Sequence, residues 1–551
     1  MTSHSEFALS SGWVSIDGTL TDHREHGPSP LRKPTRPRWV PAFVAAVVFL
    51  LGACGGSSDL ASIDPSVQAE EFDPQAFEIY VEDSMDGSNV PGLAVVLFDE
   101  DGVTYEGAFG NADADETEVT LDMPFQAGSI SKSFAALLVV QLAAEGRIDL
   151  DAPVVDVLPD FRTRGEAWSG VTVRHVLTHR SGLSTLDGNR QPDTGSGADA
   201  LARAVENLRS ATLRFEPGDS YEYSNANYTI VAALVEAVAG EPFETVMTDR
   251  IFDPLGMTNS YVHVPAGGEE PAASGFRQWF GVPGAVQHTS GRVWVGAGGV
   301  VASGRDLAIY LQAMANKDPR IIPPDFVDEV FTPYRGPAHS SNGYGLGWMF
   351  SEFDGKDVMH HSGLTGGFAA HAAFDPQTRK GGAVLTNSSG LLQADIAGSV
   401  LRRGMGAPIG VMKPTLGQHL LVWGVLASAL ALLLGFIVAT RRFAARLNGT
   451  ERVALVTGFA PPLALFGLAY VLVRVIPQAN GLTLTGMRVF FPDLWLCLLA
   501  SAVIAVLWGV THLALYVRRA PARHARADEA LPLAPIETRT APLVGSRAAA
   551  E

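Results

Sequence analysis

Ser129 and Lys132 stand three positions apart at the head of the apolar run Phe134-Ala135-Ala136-Leu137-Leu138-Val139-Val140. Pro124 and Gly128 break the chain before them, and no Gly or Pro follows until Gly146, so the spacing predicts a helix start. On a helix the pair shares one face, one turn apart. A serine hydroxyl attacks a carbonyl only when a nearby base takes its proton. A lysine serves as that base when burial and the positive end of a helix lower its pKa. The competing reading is a capping serine beside a solvated lysine, and Ser-x-x-Lys alone does not decide between them. Two other stretches carry suitable groups. Tyr223-Ser224-Asn225 precedes an apolar helix that ends at Gly240, and His361-Ser362-Gly363-Leu364 precedes a strand-like run. The adjacent His360 and His361 lack the His or carboxylate spacing of a metal site, and none is expected. Nothing in the spacing of His175 and His179 gives either a catalytic role.

These residues must be positioned by elements far apart in the chain. Residues 91–110 read as a hairpin turning at Asp99-Glu100-Asp101-Gly102. Residues 151–291 read as mostly helical with long connections. Gly298-Gly299-Val300-Val301 opens a helix to about Ala315, residues 344–387 return to strand-like pieces, and residues 391–402 form a closing helix. Strands at both ends with helices between them imply one antiparallel sheet made from chain-distant halves, flanked by helices, with a helical subdomain.

With these motifs in this order, residues 77–402 resemble the beta-lactamase-related serine hydrolases. That group includes class C beta-lactamases, D-alanyl-D-alanine carboxypeptidases, D-aminopeptidases and esterases. Ser129-x-x-Lys132 resembles the nucleophile motif, Tyr223-Ser224-Asn225 the Tyr-x-Asn motif, and His361-Ser362-Gly363 the third motif. Further landmarks are Leu177-Thr178-His179-Arg180-Ser181-Gly182-Leu183, Pro254-Leu255-Gly256-Met257, Gly298-Gly299-Val300-Val301, Tyr344-Gly345-Leu346-Gly347-Trp348 and Leu385-Thr386-Asn387. The resemblance implies a beta-lactamase-like fold, an acyl-enzyme on Ser129, and no cofactor. It gives Lys132 and Tyr223 the proton work, with Tyr223 expected at a lowered pKa beside a cationic lysine. Asn225 would hold Lys132 and the substrate amide. The N–H groups of Ser129 and Leu364 would form the oxyanion hole, and Gly363 would keep the strand edge open to substrate. True beta-lactamases carry a lysine where His361 stands. A largely neutral histidine there shifts the expectation from beta-lactams toward peptides, amides and esters.

Composition places this domain at a membrane. Of the 551 residues, 47% are hydrophobic, which is high for a soluble enzyme. Residues 55–408 carry a net charge of −26 and residues 409–551 one of +7. An acidic body argues against nucleic acid as a partner. A basic cluster through Arg38, an uncharged stretch and Leu51-Gly52-Ala53-Cys54 resemble a lipoprotein signal, with Cys54 the lipidated residue. Pairing of Cys54 with Cys497 is not expected. Residues 420–440, 453–473 and 494–517 are uncharged runs long enough to span a bilayer, the second containing Pro461-Pro462. Arginines cluster between the first two spans and after the third, which puts both segments in the cytoplasm. The expected order is an N-terminal region (1–54), a linker (55–72), the hydrolase domain (73–405), a second linker (406–419), three spans (420–517) and a disordered cytoplasmic tail (518–551). The expected setting is a bacterial cytoplasmic (inner) membrane with the hydrolase domain outside, meeting membrane lipid and a small peptide, amide or ester substrate. Alternatives are an idle penicillin-binding-like sensor module, a true beta-lactamase, or a transporter. Keeping Ser129, Lys132, Tyr223 and Asn225 together disfavours the first, and spans without Asp, Glu or Lys disfavour the last.

Overall fold

The computed structural model describes residues 72–263, 272–286, 291–334, 343–353, 356–391, 396–448 and 455–529. Cys54, nearly all of the first linker and the end of the C-terminal tail lie outside the described residues. In chain order the elements that matter are α1 (Pro74–Ser88), β1 (Gly92–Asp99), β2 (Gly102–Gly110), β3 (Phe125–Gln126), α2 (Ser131–Ala144), α3 (Thr185–Asn189) and α4 (Asn225–Ala239). Then follow β4 (Tyr261–Val262), β5 (Gly275–Trp279), β6 (Val282–Val286), β7 (Val300–Ala302) and α5 (Gly304–Ala315). The domain closes with β8 (Gly343–Tyr344), β9 (Met349–Phe353), β10 (Lys356–Leu364), β11 (Ala369–Phe374), β12 (Gly381–Thr386), β13 (Ser388–Ser389) and α6 (Ile396–Gly404).

Seven strands form one antiparallel sheet in the order β2-β1-β12-β11-β10-β9-β8. The first hairpin therefore pairs with the last strands of the domain, with Val95 opposite Val384. This is the junction of chain-distant halves that the sequence implies. Strand β1 is buried on both faces, and its alternation feeds two cores. Leu93, Val95 and Leu97 pack with Phe77 and Tyr80 of α1 and Val400 and Leu401 of α6. Ala94 and Phe98 face the larger core, which holds α2, α4 and α5.

Strand β9 pairs with β10 only from Lys356 to His360. Beyond that point the β10 edge, residues 361–364, is not covered by β9. Two differences from the sequence reading stand out here. His360 to Leu364 lie inside a strand rather than before one, because His361 and Gly363 sit opposite Ala372 and Ala370 of β11. Residues 151–291, read as mostly helical, also contain the hairpin β5–β6. Its cue was weak, since β6 carries Pro283 and Gly284, residues that rarely mark a strand.

After the domain come α7 (Leu416–Asn448), α8 (Leu455–Tyr470), α9 (Leu484–Phe490) and α10 (Pro492–Glu529). Three stretches are long and apolar enough to cross a membrane: Leu416–Arg446, Gly458–Ala479 and Pro492–Arg518. The second ends six residues later than the uncharged run. A π-helical turn at Val471–Val475 and a short helix, Ile476–Ala479, carry it past Arg474. The helix contains Pro461 and Pro462, which a membrane helix tolerates. Cys497 is a free, buried thiol.

The helices meet the sheet-bearing domain at their near ends. Phe280, at the β5–β6 turn, lies against Trp423 of α7 with ring centroids 5.6 Å apart. Asn189 of α3 donates to the carbonyl of Gly481 at 2.9 Å. Gln418 of α7 donates to Leu391 O at 2.8 Å.

Candidate active site

Ser129 lies in a 3₁₀ turn, Gly128–Ile130, that leads directly into α2. Gly128 has φ +54°, and a Cβ there would stand 2.7 Å from the nitrogen of Leu364. Glycine is thus required twice, for the backbone conformation and for the close approach to β10. Ser131 locks the turn, donating to Gly128 O at 2.6 Å and accepting from Val300 N at 2.9 Å. Ala127 N donates to Val300 O at 3.0 Å. The Gly298-Gly299-Val300-Val301 stretch therefore serves as the floor beneath the serine turn.

Lys132, one turn into the run, is fully buried. Its Nζ is 3.0 Å from Ser129 Oγ, 2.9 Å from Asn225 Oδ1 and 2.7 Å from Ala297 O. Among the described residues no carboxylate forms an ion pair with it. Burial holds the amine well below the usual lysine range, because a desolvated charge without a counter-ion is costly. Deprotonated, the amine would keep its bonds to the two carbonyl oxygens and have a lone pair left for the Ser129 hydroxyl. That is the geometry of a base poised to accept the serine proton.

Tyr223 completes the triangle. Its hydroxyl is hydrogen-bonded with Ser129, and its ring centre is 4.9 Å from Lys132 Nζ. Burial pushes the phenol above its ordinary value, which corrects the expected lowering. Desolvation outweighs the lowering that the hydrogen bond with Ser129 gives. Tyr223 is therefore a protonated group that can pass a proton.

The loop carrying Tyr223 is fastened from several sides. His179 Nδ1 lies 3.2 Å from the Ser224 amide and 3.0 Å from Asn227 Nδ2, so it accepts from both. The imidazole lies against the Tyr223 ring with centroids 4.3 Å apart. Ser224 donates to Ser184 O at 2.7 Å, and Thr185 donates to Tyr223 O at 2.6 Å. Asn225 opens α4 and donates to Asn189 Oδ1 at 2.9 Å, which turns its own Oδ1 to Lys132. The sequence reading missed His179 and Asn189. His179 stood inside a landmark motif, but its use is visible only once 45 residues of chain are folded back. The short helix before it, Val173–Leu177, is C-capped by Thr178, and His179 itself has φ +56°. His175 is part of the Thr172 capping box of that helix.

On the opposite wall, His361 is buried, and burial pushes its pKa down to about 3. Its Nδ1 lies 2.7 Å from Ser362 O, so Nδ1 carries the proton, and Nε2 faces the Tyr344 hydroxyl at 3.3 Å. No positive charge stands where a third-motif lysine would be. Gly363 is required by packing: a Cβ there would lie 2.0 Å from Ala127 O, so glycine lets the serine turn sit against the strand. Leu364 follows, part exposed at the open edge. Gly347 plays the same role behind the helix, where a Cβ would meet Lys132 O at 2.6 Å.

The structure brings Ser129, Lys132, Tyr223, Asn225 and His361-Ser362-Gly363-Leu364 to one cleft between the helical wall and the β10 edge. The beta-lactamase family model matches residues 77–403. The unguisins hydrolase ungD' of Aspergillus campestris is 25% identical over 343 residues, covering 59% of this chain and 64% of that protein. The chain thus spans less than two thirds of that relative. Esterase EstB of Burkholderia gladioli is 29% identical over 328 residues, covering 51% of this chain and 82% of the esterase. The crystal structure of a D-stereospecific amidohydrolase from Streptomyces superposes with a TM-score of 0.50 at 27% identity, covering 57% of this chain and 94% of that one. With a family match over more than half its length and that family's motifs gathered in one cleft, the chain belongs to the beta-lactamase family.

Proposed function

We propose that the protein is a membrane-anchored serine hydrolase that cleaves peptide, amide or ester bonds outside the cytoplasmic membrane through an acyl-enzyme on Ser129. The observation that carries this reading is the buried, uncompensated Lys132 amine 3.0 Å from Ser129 Oγ. Lys132 accepts the serine proton as Oγ bonds to the substrate carbonyl carbon. The N–H groups of Ser129 and Leu364 hold the developing oxyanion, each donor contributing about 3 kcal/mol to such a transition state. The carbonyl–leaving-group bond then breaks, and the leaving amine or alcohol takes a proton through Tyr223 and Lys132. A water molecule, deprotonated by the same pair, attacks the ester and frees Ser129.

The named activities of an esterase and a D-stereospecific amidohydrolase among the relatives support ester and D-amide substrates. The neutral His361 disfavours substrates that need a cation at that position. Three apolar helices, their near ends against the hydrolase domain, and arginines in the first connection and the tail support anchoring with the C-terminus in the cytoplasm. A panel of p-nitrophenyl esters, N-acyl-D-amino-acid anilides and nitrocefin tests the substrate class. Ester or D-anilide turnover at least tenfold above that of Ser129→Ala, with slow nitrocefin hydrolysis, is expected. Nitrocefin as the best substrate would overturn the assignment.

A further inference from the structure

The segment between the second and third apolar helices touches both walls of the cleft. On the helical wall, Gly481 O accepts from Asn189, the residue that orients Asn225. The same glycine lies against Thr185, whose hydroxyl holds the Tyr223 carbonyl; a Cβ on Gly481 would be 3.1 Å from Thr185 Cβ. On the sheet wall, Val489 of α9 reaches Gly366, two residues beyond Leu364, where a Cβ would be 2.8 Å from Val489 Cγ1. A short helical segment thus touches both walls, at Asn189 on one side and at Gly366 on the other. In that segment Leu482 and Met487 are buried.

A second set of contacts puts this segment at the membrane surface. The β5–β6 turn presents Val282 at 66% exposure and Trp279 at 38%, beside Phe280 packed on Trp423 of α7. Arg488 of α9 has its guanidinium 5.6 Å from the Trp495 ring of α10. Tryptophan, paired with arginine at the head of an apolar helix, is the side chain that settles at the lipid headgroup level. An active site whose walls both meet a connection between two membrane helices opens where amphiphiles lie.

Resting on the hydrolase reading above, we propose that the segment 481–490 is the acyl-chain wall of the active site. It selects substrates that carry a long apolar acyl group on the carbonyl attacked by Ser129 and that are taken from the bilayer surface. The carbonyl sits between Ser129 and the β10 edge, and the chain runs under α9 past Val489.

Full-length protein in detergent micelles tests this with p-nitrophenyl acetate and p-nitrophenyl laurate, comparing wild type with Val489→Asp. The expected result is a tenfold or greater loss of laurate kcat/KM, with acetate kcat/KM held within about twofold. A geometric readout independent of turnover is the double variant Gly366→Cys, Val489→Cys, which should form a disulfide under mild oxidation, since a thiol sulfur in the place of Val489 Cγ1 would stand next to the new Cβ on residue 366. Equal loss on both esters, no loss on either, or no cross-link would overturn the wall assignment while leaving Ser129 chemistry standing. Failure of a fluorophosphonate to label Ser129 would instead remove the hydrolase reading, and this assignment with it.

Discussion

Lys132 is the residue on which the chemistry turns, and its burial has two measurable consequences. With the folded pKa held by burial well below the ordinary lysine value, the neutral, proton-accepting form is reached at a lower pH than for a solvated lysine. Activity should rise as pH climbs through that depressed pKa and hold level above it. The sign for stability follows from proton counting. Between the two pKa values the unfolded chain carries a proton on Lys132 that the folded chain does not, so stability rises with pH toward about 10. The slope from one such group is at most about 1.4 kcal/mol per pH unit. Lys132→Met should abolish turnover, a loss of roughly 10²–10⁴-fold for a general base. It should also flatten the pH dependence of denaturant midpoints on the approach to about pH 10. A variant as steep as wild type would show that the folded lysine is charged. Ser129 and Lys132 were legible from spacing, because a one-turn separation is fixed by the helix itself. The protonation state of Tyr223 was not, because desolvation depends on what packs around the phenol.

At the scale of elements, the cleft depends on side chains that never touch substrate. His179 accepts two buried hydrogen bonds that fix the loop between Thr185 and α4. His179→Ala leaves Ser224 N and Asn227 Nδ2 without that acceptor and opens space beside Tyr223. A stability loss of about 2–4 kcal/mol is expected, with a fall in kcat larger than any change in KM, because the loop positions proton-transfer groups. Unchanged kcat in a folded variant would contradict this. The order of strands and helices was readable because apolar periodicity and glycine breaks are local signals. The β5–β6 hairpin and the strand character of His360 to Leu364 were not, since short pieces with Pro, Gly and His owe their strand state to neighbours such as β11 and β13. The glycines show the same division. Gly128, Gly347 and Gly363 are needed by close approaches between segments up to 236 residues apart, which no local pattern reveals.

In the whole molecule, an acidic domain of the beta-lactamase family is followed by three apolar helices whose near ends pack on it. The three apolar stretches were legible from composition alone. Their contact with the catalytic walls was not, because the segment 481–490 carries no pattern that names its partner. With the first connection and the tail in the cytoplasm, a phosphatase fusion at the C-terminus should be silent. A fusion within the connection between the second and third helices should be active. The reverse pattern would contradict the proposed topology. The central claim is that Ser129 is a nucleophile activated by neutral Lys132. Its most direct measurement is fluorophosphonate labelling of the full-length protein, read by peptide mass mapping, for wild type, Ser129→Ala and Lys132→Met. The expected result is one adduct on Ser129 in wild type, none in Ser129→Ala, and labelling slowed at least a hundredfold in Lys132→Met. Equal labelling of wild type and Ser129→Ala, or an adduct mapped to another residue, would contradict it.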